Sequence, residues 1–356
     1  ADTVRIGISA PLTGIQAPSG QDVVSHLKAT VDELNARGDF GTHRVELNVL
    51  DDQYDTERTK INVTTLIRDK RVHLLINQIG SAHINAALPV IQASGVTLFA
   101  PLSGPANLYV EGLRPSVVPL RASYSDEVRQ QVRMLTAMGV TTVAIVYQND
   151  SFGLDVVKAW KVHAAEGNIQ ITGQHALERG SSDVAPLVDM ALQQQPGAVV
   201  MALVSTPALL AAKHLRSRSS GLVYSVMMSV AATSEVISAL QGTARGTVLF
   251  SSVMPLPTSG SNRLLLDYAE LRKKYALKPS FRGLEAYVAM RIVADQLRRM
   301  SSVTSQSLGL ALANAQSFAV SDITMRAREP RFADVFAITR AGVFVTLDRD
   351  GTLAVY

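Results

Sequence analysis

The stretch IGISAPLTGIQAPSG, residues 6–20, decides the fold of this chain. Branched apolar residues of a strand run into the loop Pro11-Leu12-Thr13-Gly14, and Gly20 is expected where a helix begins. Open α/β sheets place ligands at such loops, between the carboxyl end of a strand and a helix N-terminus. The loop offers hydroxyls and backbone N–H groups, but no nucleophile–base pair, no phosphate-cradling Gly-Lys and no metal ligands. It therefore predicts capture of a small polar or anionic molecule rather than chemistry on it.

Short β-branched runs alternate with helical patterns, which predicts βαβ units and parallel sheets covered by helices on both faces. Strands are predicted at 4–10, 45–50, 74–77, 96–100, 142–147, 169–174, 198–204, 223–228 and 247–253. Helices are predicted at 21–36, 56–68, 82–93, 125–138, 152–165, 182–193, 207–218, 263–275 and 284–300. A terminal hairpin is predicted from 334–339 and 343–347. So many strands favour two sheets of about five, and 356 residues favour two domains.

Composition excludes several classes of protein. No apolar run reaches the roughly 18–20 residues of a membrane helix, and the chain has no cysteine, which rules out disulfides and thiolate sites. The net charge is only +4, aromatic residues are 5%, and none alternate with the basic clusters, so nucleic acid is not an expected partner. The start Ala1-Asp2-Thr3 is what a mature N-terminus would show after removal of a signal peptide.

Several motifs occur in a fixed order: PLTG at 11–14 with Ser19-Gly20, Asp51-Asp52-Gln53-Tyr54-Asp55, Gly80-Ser81, Phe99-Ala100-Pro101 and YQNDSFG at 147–153. Together they resemble the leucine/isoleucine/valine-binding type of substrate-binding protein. The resemblance implies the α/β fold of type I periplasmic binding proteins, two doubly wound parallel-sheet lobes joined by three crossovers. The crossovers would fall near Arg121, Val253 and Glu329. The N-terminal lobe would comprise 1–120 and 253–329, and the C-terminal lobe 121–252 and 330–356.

The resemblance also implies a function. Such proteins serve ABC importers, so we expect a periplasmic monomer without enzymatic activity or cofactor, which delivers its ligand to an ABC permease in the inner membrane. The same fold also serves as the ligand-sensing ectodomain of signalling systems, and that alternative stays open. An enzyme on this scaffold is disfavoured, because no triad, cofactor loop or metal cluster is present. The run Asp51–Asp55 is expected to be structural, and His83 to occupy a surface position of its helix.

Family members hold the ligand carboxylate with a hydroxyl and main-chain N–H groups of the first lobe. The matching positions in this chain are Gly80, Ser81, Leu102, Ser103 and Gly104. A serine at a helix start is also an ordinary N-cap, so both interpretations of Ser81 stay open. Ser19 stands where branched-chain amino-acid binders have an aromatic residue, and it is interpreted either as a hydroxyl lining the cleft or as a loop residue.

In the second lobe Phe152 matches an aromatic position that stacks on the ligand, although it would also suit the core of the lobe. Tyr124 follows a crossover and is a further candidate. Another aromatic position falls on Val204 or Ser205, and the acid that pairs with an amino-acid ammonium falls on Met228. No acid occurs between Gly221 and Thr233. These departures from the family pattern predict a small amine-free aliphatic or aromatic acid, with a branched-chain or other amino acid as the alternative. The resemblance itself implies that the ligand is enclosed by a hinge motion.

Overall fold

The fold is that of a computed structural model, in which residues 2–219, 221–243, 246–338, 344–347 and 353–355 are described. Its strands and helices run in the order β1 (Thr3–Ala10), α1 (Ala17–Arg37), β2 (Arg44–Asp51), α2 (Thr56–Arg68), β3 (Leu74–Ile76), α3 (Ser81–Ser94), β4 (Thr97–Phe99), β5 (Val117–Val118), α4 (Tyr124–Ala137), β6 (Thr142–Gln148), α5 (Ser151–Glu166), β7 (Gln170–Leu177), α6 (Ala185–Gln193), β8 (Ala198–Ala202), α7 (Ser205–Arg218), β9 (Tyr224–Met227), α8 (Ser234–Gln241), β10 (Val248–Ser252), α9 (Arg263–Tyr275), α10 (Phe281–Arg298), α11 (Ser305–Asn314), β11 (Ser317–Val320), β12 (Ile323–Arg326), β13 (Asp334–Ile338), β14 (Phe344–Leu347) and β15 (Leu353–Val355). Within the described residues, no helix combines the length and the apolar character needed to cross a membrane.

The chain divides into two compact units. Unit 1 comprises Ala1–Arg121 and Leu256–Arg331, and unit 2 comprises Ala122–Pro255 and Phe332–Tyr356. Each unit is built around five parallel strands of its own, so that the alternation of strands and helices seen in the sequence occurs twice. The predicted class, an α/β protein with two parallel-sheet lobes, is confirmed.

Unit 1 contains a five-stranded parallel sheet of order β2-β1-β3-β4-β5. The last five residues of β1, at positions 6–10, are all apolar or small and all buried, as expected of a central strand covered on both faces. The helix α10 has fourteen of its eighteen residues buried and packs against α1. The buried residues of α10 include two charged ones near its start, Arg282 and Glu285, which matters for the site below.

Unit 2 contains an eight-stranded sheet of order β15-β14-β13-β10-β9-β8-β6-β7. The five strands from β10 to β7 are parallel, as predicted, whereas β13, β14 and β15 add on antiparallel. The expectation of about five strands in this sheet was therefore wrong, because the chain returns after unit 1 and pairs along the free edge of β10. The predicted terminal hairpin is present as β13 and β14, while Thr339 and 341–343 lie outside the described residues.

The start of α1 also differs from the prediction. The helix begins at Ala17, not at Gly20, so that Ser19 and Gly20 lie inside its first turn. Pro18 accounts for the difference, since proline fits the first turn of a helix, where its missing N–H has no role. Gly20 is required for a different reason: a Cβ there would lie 1.9 Å from the carbonyl oxygen of Pro11.

Candidate functional site

The PLTG loop that follows β1 is held in place by Asp51, the last residue of β2. One carboxylate oxygen of Asp51 accepts hydrogen bonds from the backbone N–H groups of Leu12 (2.9 Å) and Gln53 (2.8 Å), and the other accepts from the Thr13 hydroxyl at 2.9 Å. Burial acts to raise the pKa of Asp51, but these hydrogen bonds outweigh it and the pKa is lowered. Asp51 therefore braces the loop, in keeping with the structural role expected of this acidic run.

The neighbouring Asp52 is fully buried and accepts a hydrogen bond from the Ser9 hydroxyl at 2.9 Å. Burial raises its pKa, against the opposing effect of that hydrogen bond. Among the residues that the structure describes, no three His, Cys, Asp or Glu side chains converge in a way that would hold a metal ion.

The loops after β3 and β4 bring the predicted carboxylate-binding residues together. A parallel bridge joins Ile79 to Leu102, and the hydroxyls of Ser81 and Ser103 lie 2.7 Å apart. Both serines and Gly104 are buried. Ser81 is the first residue of α3 and the N-cap is Gly80, without a side-chain cap, so the interpretation of Ser81 as an N-cap was wrong.

Gly80 and His83 determine the shape of this helix start. Gly80 has φ of +100°, a region that favours glycine, and a Cβ there would lie 2.0 Å from Nδ1 of His83. The His83 ring is buried and packs on Tyr54, with ring centroids 4.3 Å apart. The expectation of a surface position for His83 was therefore wrong, because the first turn of α3 lies against the Asp51–Asp55 segment.

A buried arginine links two of the predicted ligand segments. Nε of Arg282, in the first turn of α10, donates to the Ser19 hydroxyl at 2.9 Å, and Nη2 donates to the Leu102 carbonyl at 3.4 Å. One guanidinium thus contacts both Ser19 and Leu102, the residue that precedes Ser103. Sequence reasoning missed Arg282, since it lies more than 170 residues from the nearest of these segments.

Arg282 is part of a buried trio with Glu285 and Arg121. Nη1 of Arg282 lies 3.6 Å from one Glu285 oxygen, and Nε of Arg121 lies 3.3 Å from the other. The three side chains are only 0%, 5% and 2% exposed. Two guanidiniums and one carboxylate leave the trio with a net positive charge. No signal in the sequence marks the trio, because Arg282 and Glu285 are two of several charged residues in α10 and only their burial distinguishes them.

In unit 2 the structure brings Tyr124 and Phe152 together. Tyr124 begins α4, behind a capping box formed by Ser123 and Asp126. Phe152 lies in the first turn of α5, which Asp150 caps through the N–H groups of Phe152 and Gly153. The two rings meet edge to face with centroids 5.3 Å apart, and both are buried. They form a buried aromatic contact at the amino ends of two neighbouring helices.

Val204, Ser205 and Met228 follow the neighbouring parallel strands β8 and β9, so they lie at the same edge of the sheet. Val204 is the N-cap of α7 and Ser205 its first residue. The sulfur of Met228 accepts a hydrogen bond from Nε2 of Gln131 at 3.1 Å. These three side chains and that of Gln131 are buried. Met228 is therefore held by α4, the helix that begins with Tyr124.

An acid on another element lies beside the backbone that follows Met228. Glu127, one turn after Ser123 in α4, is fully buried, and its Oε1 accepts from the backbone N–H of Ser229 at 2.9 Å and from the Ser251 hydroxyl at 2.7 Å. Ser229 directly follows Met228. The sequence could not show this, because an acid in the first turn of a helix is usually explained by the helix dipole alone.

The side-chain amide of Gln131, one turn after Glu127 in α4, forms hydrogen bonds in the interior of unit 2. Gln131 donates from Nε2 to the Ser251 hydroxyl at 2.9 Å and to the Met227 carbonyl at 3.2 Å. Its Oε1 accepts from the indole N–H of Trp160 at 3.1 Å. The surroundings of Met228 are thus fixed by hydrogen bonds to helix α4 rather than by a charge on its own strand.

Comparisons with known proteins agree with this architecture. A family model described as "Periplasmic binding protein" matches residues 3–352. The Leu/Ile/Val-binding protein BraC3 of Rhizobium johnstonii is 25% identical over 187 residues, which are 52% of this chain and 50% of that protein. The match therefore spans about half the length of this curated relative.

Solved structures share the fold over nearly the whole chain. A possible leucine/isoleucine/valine-binding protein of Rhodopirellula baltica is 22% identical with a TM-score of 0.89, covering 98% of this chain and 97% of that one. An R. palustris solute binding protein in complex with benzoate (16%, TM-score 0.83) covers 99% and 97%. A Streptococcus pneumoniae branched-chain amino acid transporter substrate binding protein in complex with isoleucine (17%, TM-score 0.81) covers 99% of both chains.

At these identities the solved structures establish the fold alone, whereas the family model extends over almost the whole sequence. The resemblance drawn from the ordered motifs is confirmed. The chain belongs to the periplasmic binding protein family, and it is similar to Leu/Ile/Val-binding proteins.

Proposed function

We propose that this protein is the solute-binding protein of an ABC importer and captures a small carboxylate by hinge closure. The observation that carries the proposal is the contact of buried Arg282 with Ser19 and the Leu102 carbonyl in unit 1. That guanidinium belongs to a trio of net positive charge, beside the serine pair Ser81 and Ser103. A fixed positive charge behind hydroxyl and N–H donors favours an anion.

Electrostatics explain why the charge matters although Arg282 itself is internal. Charges interact more strongly in the low-dielectric interior than across water, so a net positive trio under the serine loops lowers the free energy of a bound carboxylate. The donors that contact the ligand would then be the hydroxyls of Ser81 and Ser103 and the N–H groups of Gly80, Ser81 and Gly104. Hydrogen bonds to a charged group contribute about 1.5–3 kcal/mol each.

The preferred ligand in this proposal is an acid without an amine. Burying an ammonium without a paired anion costs several kcal/mol, and Met228 stands where that anion is expected. Tyr124 and Phe152 provide an apolar surface for an alkyl or aromatic body, with Val204 and Ser205 at the neighbouring strand end. The benzoate complex of the R. palustris protein supports an aromatic acid as one member of this class.

Glu127 favours a second candidate, an α-amino acid. This buried carboxylate contacts Ser229, the neighbour of Met228, and would draw a positive group toward unit 2. The name of the Rhizobium relative and the isoleucine complex of the Streptococcus protein point in the same direction. The two candidates differ in whether Glu127 acts on the ligand or only holds the Met228–Ser229 backbone.

A calorimetric panel that pairs isoleucine, leucine and valine with their keto-acid counterparts, together with benzoate, separates the candidates. We expect the amine-free acids to bind tighter and Glu127→Gln to change their affinity by less than about threefold, since they bring no positive group to Glu127. Glu166→Gln is the matched control, because Glu166 is an exposed acid of the same unit (68% of its side chain). Tighter binding of the amino acids, lost in Glu127→Gln, would establish the second candidate instead.

The remaining parts of the proposal concern partners and location. We propose a periplasmic monomer, exported with removal of a signal peptide, that delivers its ligand to an ABC permease in the inner membrane; a ligand-sensing ectodomain is the alternative. Hinge closure predicts a smaller radius of gyration in small-angle scattering of the tightest-binding complex of the panel. An unchanged radius at saturation would contradict closure.

A further inference from the structure

Unit 1 contains a second group of arginines, away from the predicted ligand loops. A cavity of about 270 Å³ is lined by two short segments, 108–119 and 328–331, and Arg114, Arg328 and Arg331 lie in its wall with Glu111 and Glu329. Three guanidiniums and two carboxylates leave a net positive lining. The volume is several times the roughly 30 Å³ that one water occupies, so a small ion fits with its waters.

The positive groups are more buried than the negative ones. Arg331 has only 6% of its side chain exposed and lies over the Tyr109 ring, with Cζ 5.1 Å from the centroid. By contrast, the side chains of Glu111 and Glu329 are 67% and 63% exposed. Water screens the carboxylates better than it screens Arg331, so the interior of the cavity is more positive than the count of charges alone indicates.

Two guanidinium N–H groups in this wall have no hydrogen-bond acceptor. Arg114 donates from Nη2 to the Ala313 carbonyl at 2.9 Å, and Arg331 donates from Nη2 to the Ala327 carbonyl at 2.6 Å. The Nε atoms of both arginines are buried without any acceptor. A buried donor without an acceptor is unfavourable, more so on a charged group, and an oxygen anion in the cavity would relieve both.

The arginines also repel one another. Burial lowers the pKa of the Arg114 guanidinium, and the nearby charge of Arg328 lowers it further. Arg328 is the best compensated of the three, because Nε and Nη2 contact the two carboxylate oxygens of Glu111 at 2.6 and 3.2 Å. Arg331 contacts the exposed Glu329 through Nη1 at 3.3 Å, which leaves its Nε for an anion. An anion would therefore interact chiefly with the Nε groups of Arg114 and Arg331.

We propose that this cavity binds a small tetrahedral oxyanion, inorganic phosphate or sulfate, which accepts hydrogen bonds from Nε of Arg114 and of Arg331. The planar guanidinium suits such oxygens because its N–H groups lie in a fixed fork. The two lining segments end beside the points where the chain leaves unit 1, after Arg121 and after Arg331. A bound oxyanion thus ties together the two chain crossings within unit 1. This site is separate from the ligand loops and does not rest on the proposed function.

Isothermal titration of the full chain with sodium phosphate, and separately with sodium sulfate, tests the site. Sodium chloride keeps the ionic strength constant so that general screening does not change. We expect saturable binding of one anion per chain at millimolar concentrations or below. Arg331→Met and Arg114→Met should each weaken it roughly tenfold to a hundredfold.

Arg331→Lys keeps the charge but lacks the guanidinium fork, and it should also lose at least about tenfold. If circular dichroism shows that Arg331→Met does not fold, Arg331→Lys tests the role of this residue in its place. Arg129→Met is the matched control, since Arg129 is 57% exposed in unit 2 and its loss changes the net charge equally. Absence of saturable binding for both anions, or wild-type affinity in Arg331→Lys and Arg114→Met, would overturn the proposal.

Discussion

The two units have the same architecture but bury opposite charges beneath their predicted ligand residues. In unit 1, Arg282 and Arg121 outweigh Glu285 in a buried trio next to Ser19 and Leu102. In unit 2, the buried Glu127 lies beside the backbone that follows Met228. Both groups lie where parallel strands end and helices begin, the usual position of ligands in such sheets. The repeated fold therefore carries a buried group of net positive charge in unit 1 and a buried carboxylate in unit 2.

The two buried charges are also stabilised differently. The unit 1 trio joins chain segments that are far apart in sequence through ion pairs, whereas Glu127 is held by the Ser229 N–H and the Ser251 hydroxyl. Removing one partner of a buried ion pair leaves an uncompensated charge. Removing one neutral donor to Glu127, such as the Ser251 hydroxyl, leaves this carboxylate with its other hydrogen-bond donor. Unit 1 should therefore be the more sensitive of the two to loss of a single side chain.

Arg282→Met is expected to have the largest effect. It removes the hydrogen bonds to Ser19 and Leu102 and neutralises the trio. We expect stability in urea to fall by about 3 kcal/mol, as for a broken buried pair, and affinity for the carboxylate to fall by about a hundredfold. Arg298→Met, at the exposed end of the same helix (45% of its side chain), should change neither by more than about 0.5 kcal/mol. Arg282→Lys keeps the positive charge but loses the guanidinium geometry, so it separates the two contributions to binding. Unchanged carboxylate affinity in both Arg282 variants would show that the trio has no role in ligand binding.

Ser81→Ala should have an intermediate effect, mainly on binding. The substitution removes a hydroxyl that lies 2.7 Å from that of Ser103, so we expect carboxylate affinity to fall about ten- to a hundredfold and stability by about 1 kcal/mol. Ser205→Ala provides the comparison in unit 2, where it alters the same position of a helix, and should weaken carboxylate binding less than tenfold. Equal losses in the two variants, measured by calorimetry, would show that the units do not divide the ligand as described.

The smallest effect on stability is expected from lowering the pH. Burial lowers the pKa of His26 below 6.5, and burial with the charge of Arg5 lowers that of His73, also in unit 1. Below pH 6.5 the unfolded chain therefore takes up protons that the folded chain resists, and stability falls as the pH falls, by at most about 1.4 kcal/mol per pH unit for each histidine. The free energy of opening obtained from hydrogen exchange in unit 1, after correction for the intrinsic exchange rate at each pH, should fall between pH 7 and 5. His26→Gln should flatten this dependence, and an unchanged slope would contradict the assignment.

Much of the fold could be predicted from the sequence, because alternating periods of hydrophobicity are local. The nine predicted strands and most predicted helices occur within a few residues of their expected ends. The elements that were missed are short or depend on distant partners, such as β11 and β12, which pair with each other, and α8. The pairing of β13 with the edge of β10 depends on the tertiary structure, so the hydrophobic pattern of a single segment cannot predict it.

The site was less predictable, for a physical reason. Gly80, Ser81 and Ser103 follow strands, so their meeting at one edge of the sheet follows from the topology. Arg282 and Glu127, by contrast, lie in helices whose sequence context resembles that of ordinary surface or dipole-stabilised charges. Only their burial reveals them, and burial depends on neighbours more than 100 residues away along the chain.

The central claim is that unit 1 holds the ligand by its carboxylate, and calorimetry with matched pairs tests it most directly. Each acid of the panel, benzoate included, is titrated beside its own primary amide, which keeps the shape and the body of the molecule but removes the negative charge. We predict saturable binding of the preferred acid and binding of its amide weaker by about a hundredfold or more, as expected when a charged hydrogen-bonded partner is neutralised. An amide that binds as tightly as its acid would contradict the account.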